Sequence, residues 1–259
     1  MDTRLSSPAR HMLNKVPEVT LYFWIIKILA TTVGETAADF LNFNLHLGLT
    51  HTTYLMGALL AAALVAQFRT RVCVQPIYWL SVVLLSILGT LITDNLVDNY
   101  GVALQTTTWA FGAALTATFA LWYASEKTLS IHSITTSKRE AFYWMAILFT
   151  FALGTAAGDW VAESMKLGYA NSTWIFGGVI AGVTAAYYLL RLNAIVAFWV
   201  AYILTRPLGA SFGDLLSQPV ANGGLGWGTV GTSAVFLTAI LGGVVYLVWS
   251  QKKPEARVR

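Results

Sequence analysis

Asp39, Asp94, Asp159 and Asp214 each stand fifteen residues after a tryptophan (Trp24, Trp79, Trp144 and Trp199). Between each pair, ten residues after the tryptophan, comes a glycine: Gly34, Gly89, Gly154 or Gly209. The surrounding segments are apolar enough to cross a bilayer, where each carboxylate costs roughly 2.5–3.5 kcal/mol at a helix centre. Four of them at equivalent places call for a functional explanation. Carboxylates, with Glu35 and hydroxyls such as Thr32, Thr90, Thr93 and Thr155 nearby, are hard oxygen donors suited to Mg²⁺, Mn²⁺, Ca²⁺ or protons. The first helices contain neither His nor Cys, which argues against zinc, copper or haem ligation.

Four carboxylates near one axis cannot all stay ionised without compensation, so they share protons, find basic partners or bind cations. The basic residues within the helices are Lys27 and Arg206. Lys27, Thr31, Glu35 and Asp39 follow at steps of four and form a polar stripe along one helix face. The stripe suggests that Lys27 pairs with an acid when no ion is bound and releases it when one arrives, with Thr31 and Arg206 sharing this coupling or gating role. Asp98 and Glu163, one turn beyond their aspartates, belong to the outer mouth, as do His46 and His51 on the first outward loop. Pro207 and the glycines after it make the fourth first-helix the one expected to kink or break.

The elements that must position these residues follow from composition. The chain is 56% hydrophobic and only 11% charged, against roughly 25% charged in a soluble domain. Eight apolar stretches, near 18–42, 52–69, 76–99, 105–125, 140–166, 172–192, 194–218 and 227–250, are each long enough to span as a helix of about 20 residues. The fold expected is all-α: a polytopic membrane protein whose eight spanning helices form four helical hairpins of the same orientation around a pseudo-symmetry axis. The Asp-bearing first helices would lie inside and the second helices outside. The repeats are 18–70, 76–125, 139–192 and 193–250, within one domain over 18–250. A segment at 1–17 precedes it and a tail at 251–259 follows.

Small residues at Gly34/Ala38, Gly89/Thr93, Gly154/Gly158 and Gly209/Gly213 make ridges along which helices approach closely. The tryptophans suggest two interfacial belts, with Trp24, Trp79, Trp144, Trp199, Trp122 and Trp249 on one side and Trp109, Trp174 and Trp227 on the other. The net charge of +4 reflects basic residues gathered on one side: Arg4, Arg10 and Lys15, then Arg69, Arg71, Lys127, Lys138, Arg139 and Arg191, then Lys252, Lys253, Arg257 and Arg259. By the positive-inside rule both termini face the cytoplasm. This distribution points to a lipid bilayer and not to nucleic acid. Cys73, the single cysteine, reads as incidental.

At Phe23-Trp24, Thr32-Val33-Gly34-Glu35, 154–159 (GTAAGD) and 205–214 (TRPLGASFGD), the chain resembles a bacterial family of four-repeat membrane proteins known only as a repeat of unknown function. The resemblance implies a bacterial inner-membrane location and no particular activity.

The residues themselves point to a transporter of a hard cation, a divalent metal such as manganese first, with or without proton coupling. Asp39, Asp94, Asp159, Asp214 and Glu35 would be its ligands. No enzymatic role and no bound cofactor are expected. One alternative is a sensor or structural module in which the aspartates only pair helices. The other is an intramembrane aspartyl protease, but Ser211 and Ala156 stand where the Gly-x-Gly-Asp signature of such enzymes has its first glycine.

Overall fold

The computed structural model describes residues 14–252, apart from the side chains of Phe43, Gln251 and Lys252. Arg4, Arg10, Lys253, Arg257 and Arg259, on which the charge argument partly rests, lie outside the described residues. Eight long helices account for most of the chain: α1 (Leu21–Asp39), α2 (Leu49–Arg69), α3 (Gln75–Asp94), α4 (Leu104–Glu126), α5 (Ser137–Asp159), α6 (Gly168–Leu189), α7 (Ala194–Ser217) and α8 (Gly228–Lys252). No strand occurs among the described residues. Side chains start several of the helices by accepting first-turn N–H groups: Thr20 from Phe23, Thr136 from Arg139, and Asn193 from Ile195 at 2.9 Å.

Among the described residues, six helices are long and apolar enough to cross a membrane. The two that fall short by composition are α1, which carries Lys27, Glu35 and three threonines, and α4, with Thr106, Thr107, Thr108, Thr116 and Thr118. Most of these hydroxyls bond back to the carbonyl one turn earlier, as Thr107 does to Ala103 and Thr118 to Ala114, so they bring no unmet polar group with them.

The odd-numbered helices form a closed ring, α1 against α3, α3 against α5, α5 against α7 and α7 against α1. Their small residues allow it. A Cβ on Gly34 would overlap Ser86, one on Gly89 would meet the Phe151 Cβ at 2.7 Å, one on Gly154 would overlap Arg206, and one on Gly209 would overlap Thr31. In each copy the glycine ten residues after the tryptophan receives the residue seven after the next tryptophan, and the fourth copy returns to the first. The aromatic residues interlock in the same cyclic order. Phe23 packs on Trp79, Tyr78 on Trp144, Tyr143 on Trp199 and Phe198 on Trp24, with ring centroids 5.5–6.2 Å apart.

Two expectations change here. The second helices do not pack chiefly on their own first helices, although α8 keeps a lesser contact with α7 and α6 with the π-helical segment of its own repeat. Each packs on the first helix of the following repeat, α2 on α3, α4 on α5, α6 on α7 and α8 on α1, which closes the circle. The same crossing places Gly112 against Leu153 and Gly177 against Leu208. In addition, Trp79, Trp144, Trp199 and Trp122 are buried and Trp24 is half-buried, so they form no interfacial belt. Because the first helices are the inner ones, their starting ends face one another and their aromatic residues seal that end of the ring. Trp109, Trp174, Trp227 and Trp249 are exposed, as belt residues would be.

The ten residues that lengthen the central connection lie over this aromatic end. Ile131 and Ile134 are buried, and the Trp199 indole donates to the Leu129 carbonyl at 2.9 Å. The Lys15 backbone N–H donates to Ile134, and the buried Lys15 ammonium pairs with Glu140 at 2.5 Å. Lys15 therefore acts as a fastening and not as a free surface charge. Burial also pushes the Cys73 thiol up to about 12, which fits its reading as incidental.

The close approaches around the ring make a stability prediction. Gly89→Val should destabilise the purified protein by about 1–3 kcal/mol through overpacking. Gly182→Ala, in a helical position with open space around it, should be neutral or stabilise by up to about 1 kcal/mol. Unfolding curves in detergent check both. A Gly89→Val protein that unfolds like wild type would contradict the packing.

Candidate functional site

Because the repeats are in register, residues at equal distances from the four tryptophans form layers around the ring axis. Three residues in, the layer is Lys27, Val82, Ile147 and Tyr202. Seven in, it is Thr31, Ser86, Phe151 and Arg206. Eleven in, it is Glu35, Thr90, Thr155 and Ala210, and fifteen in comes the aspartate ring. The steps of four follow one slowly drifting face of each helix.

Lys27 is fully buried. Its ammonium donates to the Thr205 hydroxyl at 3.2 Å and lies over the rings of Phe151 and Tyr202, 4.4 and 4.2 Å from their centroids. Such cation–π contacts offset part of the lost hydration. No carboxylate lies within ion-pairing distance of Lys27 among the described residues. The expected exchange between Lys27 and an acid is therefore not what this arrangement contains, because Lys27 points into the aromatic end, two helical turns from Glu35.

The cation that does pair is Arg206. It too is fully buried, so neither residue reaches a surface to snorkel. One terminal nitrogen, Nη2, lies within hydrogen-bond distance of Glu35 Oε2 at 2.9 Å, the Thr155 hydroxyl at 2.6 Å and the Thr90 hydroxyl, which share its two hydrogens. Those acceptors are three of the four residues of the layer eleven in, on α1, α3 and α5. A single nitrogen touching three helices of the ring lies on or beside its axis. Nη1 donates to the Thr31 carbonyl at 3.2 Å, and the buried Nε has no partner among the described residues. Thr31 itself bonds to the Ile28 and Thr205 carbonyls, tying α1 to α7.

Pro207 does not break α7, which continues as helix on both sides. Gly158 of α5 leaves room for the proline, with an added Cβ 3.5–3.6 Å from its atoms, so the ring packs into a neighbour without forcing the chain apart. The helix irregularities lie elsewhere. Directly after Asp39, Asp94 and Asp159 the chain widens into π-helix, over Phe40–Asn44, Asn95–Asn99 and Trp160–Ser164. Such segments cluster at functional places. In the fourth copy Pro219 falls at the position of Asn44, Asn99 and Ser164, and the helix ends at Ser217 instead.

The aspartate ring is one turn beyond the Arg206 layer. Asp39, Asp94 and Asp159 are half-buried and Asp214 is buried. All four are near enough to Glu35 to feel its charge. Gln218 donates to Asp39 at 3.3 Å, whereas Asp94, Asp159 and Asp214 accept from no protein donor among the described residues. The acids are arranged around the axis and are not gathered into one tight cluster. Among the described residues, no three His, Cys, Asp or Glu side chains converge closely enough to hold a metal ion.

Asp98 and Glu163 are exposed in the π-helical segments, where both act electrostatically on Asp39, and Glu163 accepts from Tyr169 at 3.2 Å. His46 and His51 are exposed and make no hydrogen bond to the acids. His46 occupies a left-handed turn (φ 52°), the same place in its repeat as Gly101 (φ 67°) and Lys166 (φ 57°) in theirs. That shared geometry gives His46 a role in the turn. Ser86 and Ser211 carry buried hydroxyls without partners among the described residues; Ser86 has no signal of its own in the sequence and stands out only by its place in the layer containing Arg206.

The chain matches a family model described as Repeat of Unknown Function (DUF347) four times, over residues 22–72, 77–128, 142–193 and 197–253, and belongs to that family. No curated protein and no solved structure matches it.

The buried pair makes a second prediction. Arg206→Met or Glu35→Leu alone should each cost about 3–5 kcal/mol, since each strands an unpaired buried charge. The double substitution should recover part of that loss, with a coupling energy within about 0.5–3 kcal/mol. Chemical unfolding of the four proteins measures it. Strict additivity would show that the two charges do not depend on each other.

Proposed function

We propose that this member of the family is a multi-pass transporter in the bacterial inner membrane that carries a hard cation, with a divalent metal such as manganese as the first candidate. All eight long helices would cross the bilayer, with both termini and the aromatic end of the ring on the cytoplasmic side. The aspartate ring would then face outward.

The observation that carries the reading is a ring of four carboxylates at equivalent positions, three without a protein donor among the described residues, next to a buried cation already engaged. Around the axis, Arg206 is the one cation paired with these five acids among the described residues, leaving roughly four carboxylates to be met by protons or ions. Ligand chemistry favours hard ions. Asp39, Asp94, Asp159 and Asp214 would receive the ion from the mouth formed by Asp98 and Glu163. Glu35 would be its inner ligand and is held by Arg206 until an ion competes for it. Arg206 thus takes the gating role first considered for Lys27, with Thr31 fixing its position relative to α1. The aromatic end closes the path on the other side, so this arrangement corresponds to an outward-facing state.

A non-transporting module is favoured by one feature, the pairing of Arg206 with Glu35, Thr90 and Thr155 inside the protein, and it needs no ion at all. The two readings separate in proteoliposomes. We expect Mn²⁺ flux that falls about tenfold or more in Asp214→Asn while the folded protein is retained. If Mn²⁺, Mg²⁺ and Ca²⁺ all fail to move through well-folded wild type, with or without a pH gradient, the transport reading is wrong.

A further inference from the structure

The end of the molecule opposite the aspartate ring carries a separate feature. Where α2 ends and α5 begins, an open groove of about 380 Å³ is lined by Lys15, Arg69, Thr70, Arg71, Thr135 and Ser137, with Phe68 at its wall. Two of the three charges in this groove, those of Arg69 and Arg71, are not balanced by any described residue. Arg69 and Arg71 are exposed, and no carboxylate pairs with either among the described residues. Lys15 is buried and spends two of its three ammonium donors on the Phe68 carbonyl, at 3.2 Å, and on Glu140, at 2.5 Å. Glu140 is thus neutralised. The neighbouring Lys138 and Arg139 are held by Glu126, at 3.5 and 2.8 Å.

Hydrogen-bond donors are also in excess. The Thr136 side chain occupies only the Arg139 N–H, so the first N–H groups of α5, at Ser137 and Lys138, have no acceptor among the described residues. They add the positive end of a long helix to the groove. The hydroxyls of Thr135 and Ser137 make no protein hydrogen bond among the described residues. Two unpaired guanidinium groups, a spare ammonium donor, two hydroxyls and a helix start fit a tetrahedral oxyanion better than a spherical one, since arginine matches phosphate through paired N–H groups.

We infer that this groove binds a phosphate group, supplied either by the headgroup of an acidic phospholipid or by phosphate free in solution. The phospholipid source rests on the membrane reading above, because only then is the groove at headgroup depth; the free-phosphate source does not.

The test uses delipidated full-length protein, the Arg69→Gln/Arg71→Gln variant, and Arg191→Gln as a control at an exposed basic residue away from the groove. Native mass spectrometry with phosphatidylglycerol against phosphatidylcholine reads the lipid source. Thermal shift with inorganic phosphate, against chloride at equal ionic strength, reads the free one. A preference for phosphatidylglycerol, or a phosphate-specific shift, that drops about fivefold or more in the double variant and not in Arg191→Gln supports the site. Equal responses of the double variant and the control, no response to either probe, or a shift reproduced by chloride, would overturn it. None of these results depends on ion flux, so the site and the transport reading fail separately.

Discussion

A single guanidinium on the axis ties the ring together. Taking an arginine out of water costs several kcal/mol, and its surroundings must return that through a counter-charge and acceptors in good geometry. Glu35 supplies the charge from α1, Thr90 and Thr155 supply hydroxyls from α3 and α5, and the arginine belongs to α7. Each helix of the ring thereby has a stake in one group. The arrangement also requires an absence, because Gly154 leaves the space that the Arg206 side chain passes through. A side chain at that position would displace the arginine from its acceptors and α7 from α5 at once.

This dependence explains why the outer helices cross to the next repeat. A repeat whose two helices packed on each other would be self-contained, and four such units would meet only along their sides. With α2 on α3, α4 on α5, α6 on α7 and α8 on α1, no repeat completes its own packing, and the last helix is needed to cover the first. The ring closes as a unit, through contacts far apart in sequence. Formation of the axial pair, which joins residues 171 positions apart, therefore belongs to the final assembly.

The four-fold repeat, the inner position of the Asp-bearing helices and the packing role of the small residues were legible in sequence because each recurs at fixed spacing. What was hidden is what repetition does not encode. Trp79 and Trp199 read as interfacial because tryptophan at a helix start usually is, yet the ring turns those starts inward. The spacing within a repeat looked like a hairpin, since nothing in one repeat reveals that its second helix packs on a neighbour. Arg206 occurs once, and its position became meaningful only on seeing that it shares a layer with Thr31, Ser86 and Phe151 and reaches into the next. The π-helical segments left a faint trace, the Asn44, Asn99 and Ser164 positions where the fourth copy has Pro219, but no hydrophobic pattern distinguishes a π turn from an α turn.

The way symmetry is lost along the axis assigns different physical tasks to its layers. At the aspartates all four copies carry the same group, although Asp214 is the more buried and Asp39 alone accepts from Gln218. Four residues further in, the copies diverge into Glu35, Thr90, Thr155 and Ala210; then into Thr31, Ser86, Phe151 and Arg206; then into Lys27 with three uncharged partners. A purely structural ring could have used the same residues throughout, as it does for the glycines and the aromatic seal. Placing single, unrepeated charges directly behind a four-fold ring of acids makes the inner layers polar in one direction only, with Glu35 joined to one helix and Arg206 to another. Under the proposed transport role, an ion drawn to the aspartates would compete with Arg206 for Glu35, the carboxylate through which α1 is joined to α7.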